Sequence, residues 1–305
     1  MNRSSTLVKC FILTFFMTVA AAAASFFMMQ PLMVRAQASR WVVTSYPDAS
    51  GRQGMFYTIH DKATNALVVV DGGWTDNAPQ VRKVIAGYGN TVDAWILTHY
   101  HNDHVDAFNA IYEDPQGIRI RHIYASPMDY DTYLSVAKPW DFPESYEKFL
   151  ALTKDADNLT YIERDDTVKA AGLSFYFFNT YDDTLLDVVG RSDLPNNGSL
   201  IFKAEGEEDS FLFLGDAHDA RLGQYLVDTY GEELCVTYVQ AGHHGNNSMP
   251  QSFYRSVDPD CMVFDAPKWL MTSSEYTSKK LAAWCRANGV KTYDYRTGPN
   301  RFGLQ

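Results

Sequence analysis

From residue 41 onward, short and nearly continuous apolar runs alternate with stretches whose apolar residues recur every three or four positions. Continuous runs bounded by turn residues read as strands, and the longer period reads as amphipathic helices. Residues 41–46, 55–60 and 67–70 form a predicted meander of closely linked strands. Residues 79–87 then read as a helix ended by glycine, 92–98 as a strand, 103–112 as a helix and 118–125 as a strand. Strands resume at 173–178, 199–203, 211–214 and 235–240, helices fall at 219–229 and 275–287, and 291–295 closes the chain. Strand-rich halves with intervening helices predict an α/β (α+β) fold in which two mixed sheets face each other and helices cover the outside.

No internal repeat, low-complexity tract or linker divides residues 39–305, which read as one catalytic-sized domain. Residues 126–157 interrupt the pattern as an insertion or lid. There Tyr130, Tyr133, Trp140, Phe142, Tyr146 and Phe149 sit among prolines and acids, with a predicted helix at 144–152. Such a cluster reads as local packing before it reads as a substrate wall, because apolar side chains usually serve burial.

Hydrophobic residues make up 46% and charged residues 21% of the 305, proportions of an ordinary globular chain and not of a disordered one. The first 38 residues differ in kind. Arg3 and Lys9 precede an apolar run from Cys10 to Met29, and Ala36-Gln37-Ala38 has the small-x-small form of a processing site. Residues 1–38 are therefore expected to be a signal peptide or an uncleaved N-terminal membrane anchor. Either way this segment engages the membrane during export, and the remainder acts outside the cell, secreted or anchored at its surface. Arg3, Lys9 and Arg35 are the only charges up to Ala38, so removing the leader takes Lys+Arg from 26 to 23 against 37 Asp+Glu, and the net charge from −11 to −14. So acidic a balance disfavours a nucleic-acid backbone as partner and points to a small-molecule or cell-envelope substrate. Cys235, Cys261 and Cys285 follow without any Cys-x-x-Cys, which gives no disulfide framework; they read as buried thiols.

The densest chemistry is the run Thr98-His99-Tyr100-His101-Asn102-Asp103-His104, directly after the apolar stretch 94–97. Alternate side chains of an extended chain share a face, so His99 and His101 can bind one ion while Asp103 and His104, on the turning chain, face a second. A solvated loop with Asp103 as helix cap is the plainer reading, but these are three of only eight histidines in the chain. Imidazole and carboxylate suit two Zn2+, with Mn2+ or Fe2+ as alternatives, and a metal pair can make a nucleophile of bound water near neutral pH.

Three further strand ends offer partners. The run 211–214 leads into Gly215-Asp216, where a carboxylate shared by two ions would be displayed, unless Asp216 caps the helix that follows. The run 238–240 leads into Gly242-His243-His244-Gly245, a pair that can supply one ligand and one proton donor, the sequence leaving open which is which. Asp71, after Val68-Val69-Val70, can orient a ligand histidine by accepting its other N–H, or serve as a turn aspartate.

His99-x-His101-x-Asp103-His104, then Asp216, then His243-His244, is an order that resembles the metallo-β-lactamase-fold hydrolase superfamily over nearly everything after the leader. The resemblance implies a four-layer αββα sandwich, metals at the edge between the sheets, and a bridging water or hydroxide as nucleophile. By position it implies His99 and His101 on one ion, Asp103 and His104 on the other, and Asp216 on both. His244 would complete the second site, because in similar members the ligand stands just before the small residue that ends this loop. Many members supply a further histidine ahead of the bridging aspartate; here His122 alone falls in that interval, and it comes too early. Instead Pro195-Asn196-Asn197-Gly198-Ser199-Leu200 is similar to the branch holding the hydrolase domain of competence-type DNA-uptake proteins and the bacterial phosphorylcholine esterases. That branch is associated with phosphodiesters, and the likeness makes Asn197 and Ser199 supporting residues of the site.

A first ion with fewer protein ligands leaves open coordination for a phosphate oxygen. The expectation is thus an exported or membrane-anchored binuclear metal-dependent hydrolase that cleaves a phosphodiester by metal-activated hydroxide. Asp103 or the non-ligand histidine, His243, would manage the proton. An ester, lactone or β-lactam hydrolase on the same site is the alternative, and a non-catalytic surface binding module a further one.

Overall fold

The computed structural model describes residues 39–305, so the expected signal peptide or anchor lies outside the described residues. The predicted meander is present as β1 (Trp41–Ser45), β2 (Phe56–Asp61) and β3 (Leu67–Asp71), followed by α1 (Ala78–Gly87). The strand expected over 92–98 is broken at Asp93 into β4 (Thr91–Val92) and β5 (Ala94–Leu97). The Asp93 carboxylate accepts the Leu67 N–H at 2.9 Å, which fixes the break. After α2 (Asn102–Glu113), the strand expected over 118–125 is likewise divided into β6 (Arg119–Ile120), which pairs only with β4, and β7 (Ile123–Ala125). The insertion carries α3 (Tyr130–Val136) and α4 (Pro143–Thr153) and leads to β8 (Leu159–Tyr161).

The second half contains β9 (Thr167–Ala170), β10 (Leu173–Asn179), α5 (Asp183–Val189), α6 (Leu194–Asn197), β11 (Ile201–Glu205) and β12 (Ser210–Phe213). It continues with α7 (Ala220–Tyr230), β13 (Tyr238–Gln240), α8 (Gln251–Val257), β14 (Cys261–Val263), α9 (Lys268–Thr272), α10 (Ser278–Ala287), β15 (Lys291–Tyr293) and β16 (Asn300–Leu304). One seven-stranded sheet has the order β16-β1-β2-β3-β5-β7-β8 and the other β15-β14-β13-β12-β11-β10-β9. Both are mixed in the same way: β3, β5, β7 and β8 run parallel, as do β12, β13, β14 and β15, and the remaining pairs are antiparallel.

Burial on both faces explains why the strands read as continuous apolar runs. Val68, Val70, Ala94 and Ile96 of one sheet meet Phe202, Phe211, Phe213 and Val263 of the other in the middle layer, where Tyr57 and Phe213 pack edge-to-face at 5.3 Å. Their alternates Val69, Trp95, Leu97, Leu212 and Val239 pack in the cores under the helices. The result is the αββα sandwich that the resemblance implied.

Further expectations need correction: 291–295 does not close the chain, because β16 follows β15 and pairs with β1 in the other sheet. The apolar run 235–240 is a strand only at β13, and Cys235, at the end of the 3-10 turn Gly231–Leu234, is exposed. Its thiol is therefore not a core group, whereas Cys261 and Cys285 are buried, and no disulfide joins the three. Among the described residues no helix is long and apolar enough to cross a membrane.

Candidate metal centre

The C-terminal ends of the parallel strands gather the polar residues singled out above: Asp71 ends β3, His99 follows β5, Asp216 follows β12 and His244 follows β13. Crevices outside the carboxyl ends of parallel strands are where such sheets hold ligands. His99, His101 and Asp216 form one group whose ligand atoms lie within 4.8 Å of one another, and Asp103, His104 and His244 form a second. Asp216 links the two. Its Oδ1 is 3.3 Å from His104 Nε2, and its Oδ2 is 3.4 Å from His244 Nε2 and 3.9 Å from His99 Nε2. Asp103 Oδ2 is 3.2 Å from His244 Nε2. Neither aspartate is a helix cap: Asp219 caps α7, accepting the Arg221 N–H at 2.8 Å, and His101 is the N-cap of α2.

All six side chains are buried, and Nε2 of His99, His101, His104 and His244 and Oδ1 of Asp216 have no hydrogen-bond partner. Buried polar atoms are normally satisfied, so the four of these atoms gathered at Asp216, those of His99, His104, His244 and Asp216 itself, fit a pair of divalent cations, while His101 Nε2 lies 3.3 Å from Asp141 Oδ1. A donor set of imidazole and carboxylate without thiolate suits zinc, iron or manganese.

The surrounding hydrogen bonds fix these rings. Asp71 adopts a left-handed backbone, φ 51°, that turns its carboxylate back on the histidine loop. Oδ1 accepts the Thr98 N–H and Oδ2 the Thr98 hydroxyl, each at 2.7 Å, and His104 Nδ1 donates to Oδ2 at 2.7 Å. His99 Nδ1 lies 3.2 Å from Thr98 Oγ1, and His244 Nδ1 donates to the Asp265 carbonyl at 3.1 Å. The Asp216 loop is held from the other side: Ser199 Oγ accepts the Asp216 N–H at 3.1 Å, and Asn197 Oδ1 accepts the N–H groups of His218 and Asp219 at 3.0 Å. Gly215, at φ 52°, makes this approach possible, since a Cβ there would stand 2.8 Å from Ser199 Oγ.

The metal-free charges are set by mutual compensation. Burial alone would strip His104 and His244 of their protons, but the Asp216 and Asp103 carboxylates outweigh it, raising His104 well above its ordinary range and His244 to about 10. Burial pushes Asp216 up, yet His244 and His104 hold it well below the carboxylate range. An incoming ion must therefore displace protons from His104 and His244, and metal affinity is expected to rise from mildly acid to mildly alkaline pH. Calorimetric titration with Zn2+ at neutral pH checks this: the heat should change with the ionisation enthalpy of the buffer, and equal heats in all buffers would contradict it.

A sequence profile of the metallo-beta-lactamase superfamily matches residues 51–222, more than half of the chain. The chain belongs to the metallo-beta-lactamase superfamily. No curated protein sequence matches it. Among solved structures, CmlA, a diiron beta-hydroxylase from Streptomyces venezuelae, is similar with a TM-score of 0.52 and 12% identity over 83% of this chain and 52% of that one. The metallo-beta-lactamase fold protein YhfI from Bacillus subtilis gives 0.50 and 12% over 83% and 95%, and unliganded yeast PDE1 gives 0.51 and 10% over 87% and 100%. The chain spans about half the length of CmlA, and identities this low speak of the fold alone. Metallo-beta-lactamase-fold proteins bind divalent metals, and the two His/Asp groups are the candidate sites in this member.

The centre opens into a cavity of about 450 Å³ lined by Trp74, Asp103, Asp193, His218 and His243, among others. His244, not His243, joins the metal-binding groups; both take left-handed backbone, φ 54° and 52°, which aims the two rings apart. The His243 ring lies 4.9 Å from that of His218, and burial lowers it to about 4, so it is neutral at physiological pH. The aromatic insertion divides its labour. Tyr133, Tyr146 and Phe149 are buried, with Tyr146 stacked on Tyr100 of the histidine loop at 3.7 Å, whereas Trp140 and Phe142 are exposed and line the cavity. Sequence reasoning missed Asp265, His218 and Asp141 as residues of this region. Asp265 had a usable signal, since it follows a strand-like run as Asp71 and Asp216 follow theirs.

Proposed function

We propose that the protein is an exported or membrane-anchored binuclear metal-dependent hydrolase that cleaves a phosphodiester. The observation that carries this reading is the inequality of the two groups around Asp216. Asp103, His104 and His244 surround one position with Asp216 3.3 and 3.4 Å from the two histidines, four donors in all, whereas His99 and His101 alone join Asp216 at the other. Among the described residues no third histidine reaches that group; His122 is exposed beside β7. A position with few protein donors on the wall of a cavity has room for substrate oxygens.

His99, His101 and Asp216 would hold one ion and Asp103, His104, His244 and Asp216 the other, zinc being the best fit, with manganese or iron as alternatives. Two divalent cations there supply charge neutralisation for phosphoryl oxygens and a water acidic enough to lose its proton near neutral pH. Asp71 and Thr98 keep the rings of His104 and His99 in place while the substrate enters. Asp103 and the neutral His243 both line the cavity, where either can take the proton of the attacking water and then give it to the departing oxygen. The acidic surface supports a small or cell-envelope substrate over nucleic acid.

A panel of a generic aryl phosphodiester, an aryl ester and a chromogenic cephalosporin tests the reading on purified protein. Turnover of the phosphodiester is expected, lost on chelation and restored by Zn2+ or Mn2+. Turnover confined to the ester or cephalosporin would overturn the substrate class, and tight binding without turnover under any divalent metal would favour a binding module. Fractionation of cells expressing the tagged full chain should place it in the envelope or medium; recovery from the cytosol alone contradicts export.

A further inference from the structure

Asp141 is an acid in the insertion with no place in the proposed chemistry. It stands between Trp140, 63% exposed, and Phe142, 45% exposed, yet is itself 0% exposed. Most of it is tied inside the insertion. Its N–H donates to the Lys138 carbonyl at 3.0 Å, its carbonyl accepts the Tyr133 hydroxyl at 2.6 Å, and its Oδ2 accepts the Lys138 N–H at 2.7 Å. Oδ1 alone is left over. It is buried with no hydrogen-bond partner, and lies 3.3 Å from Nε2 of His101, which has none either. An unanswered carboxylate oxygen in such a place is costly, so the approach to His101 calls for a reason.

The other three histidines of the centre supply it. His99, His104 and His244 each turn Nδ1 to a supporting oxygen, of Thr98, Asp71 and Asp265 respectively, and each presents Nε2 to Asp216. His101 has its supporting oxygen on the opposite nitrogen, which leaves Nδ1 for the ion. A carboxylate that accepts the second N–H of a ligand histidine fixes both tautomer and ring orientation. We propose that Asp141 is the positioning carboxylate of His101, so that the insertion bearing Trp140 and Phe142 is fastened to the first metal position through a single side chain. The inference rests on the reading of His99, His101 and Asp216 as a metal site.

Imidazole 15N NMR of the Zn2+-loaded protein reads the proposal directly, with the His101 resonances assigned by their loss in His101→Asn. His101 should be protonated on Nε2 and the other three on Nδ1; a proton on Nδ1 of His101, or Asp141 itself bound to the metal in its place, overturns the inference. Asp141→Ala should weaken the first site by about 10–100-fold in competition with a chromophoric chelator. The second site should keep its affinity. Asp141→Asn retains an acceptor for the Lys138 N–H and carries the affinity measurement if the alanine variant does not fold. Unchanged affinity at both sites in a folded variant refutes the role. A wild-type chain that holds no metal overturns this inference and the proposed function together, whereas two retained ions with His101 in the other tautomer overturn this inference alone.

Discussion

Asp216→Asn is expected to lose both bound ions to below full occupancy and to cut phosphodiester turnover by about four orders of magnitude, several kcal/mol of transition-state stabilisation at about 1.4 kcal/mol per factor of ten. The reason is position. Asp216 is the only member of the two groups within 4 Å of ring nitrogens of three ligand histidines, so removing its charge affects both positions at once. The amide is nearly isosteric, and the backbone anchors of this loop, the Ser199 hydroxyl on the Asp216 N–H and the Asn197 carbonyl on His218 and Asp219, stay in place. The fold should therefore survive. Asp219→Ala, three residues on, is the control: it removes the cap of α7 at a cost of about 1 kcal/mol but touches neither metal group. Metal content by elemental analysis and kcat/KM on an aryl phosphodiester decide the matter. An Asp216→Asn protein with two ions and undiminished turnover would refute the shared-ligand arrangement, and a metal loss equal to it in Asp219→Ala would point to loop damage instead.

The candidate site is legible in the sequence because most of its residues stand at or just after the end of a buried strand, where a local apolar run and the polar residues after it are read together. Asp71, His99, His101, Asp216 and His244 all share that arrangement. Asp141 has no such signal. Its approach to His101 depends on how 126–157 folds over the histidine loop, and that depends on contacts such as Tyr100 on Tyr146 that no local pattern encodes. The insertion's aromatics show the same limit. Tyr146 and Phe149, three apart on α4, are buried as helical spacing suggests, but Trp140 and Phe142 precede the helix and face the cavity. In the scaffold, β9 gives no clear apolar signal because its alternate residues are exposed at the sheet edge, and the break between β4 and β5 is invisible in the sequence because it needs the Leu67 N–H as a partner for Asp93.

Trp95→Ala should produce the largest loss of stability and should carry that loss into the metal centre. Trp95 lies in β5, between β3 and β7, fully buried and edge-on to Phe108 of α2 at 5.2 Å. Truncating a core tryptophan costs about 3–5 kcal/mol. Its Nε1 also donates to the Asp71 carbonyl at 2.9 Å, so the substitution strips a buried acceptor at the residue whose left-handed backbone aims a carboxylate at Thr98 and His104. At about 2–4 °C per kcal/mol for a domain of this size, the melting temperature should fall on the order of 10 °C. Metal affinity of the folded protein should fall with it, because His99 and His104 take their orientation from Thr98 and Asp71. Phe302→Ala separates the two effects. Phe302 sits in the middle layer against Tyr238 and Phe211, far along the sheet from β5, and its loss should cost comparable stability while the folded protein binds metal normally. If Trp95→Ala lowered the melting temperature but left metal affinity equal to that of Phe302→Ala, the indole would be core packing alone, and Asp71 would hold its strained backbone without it.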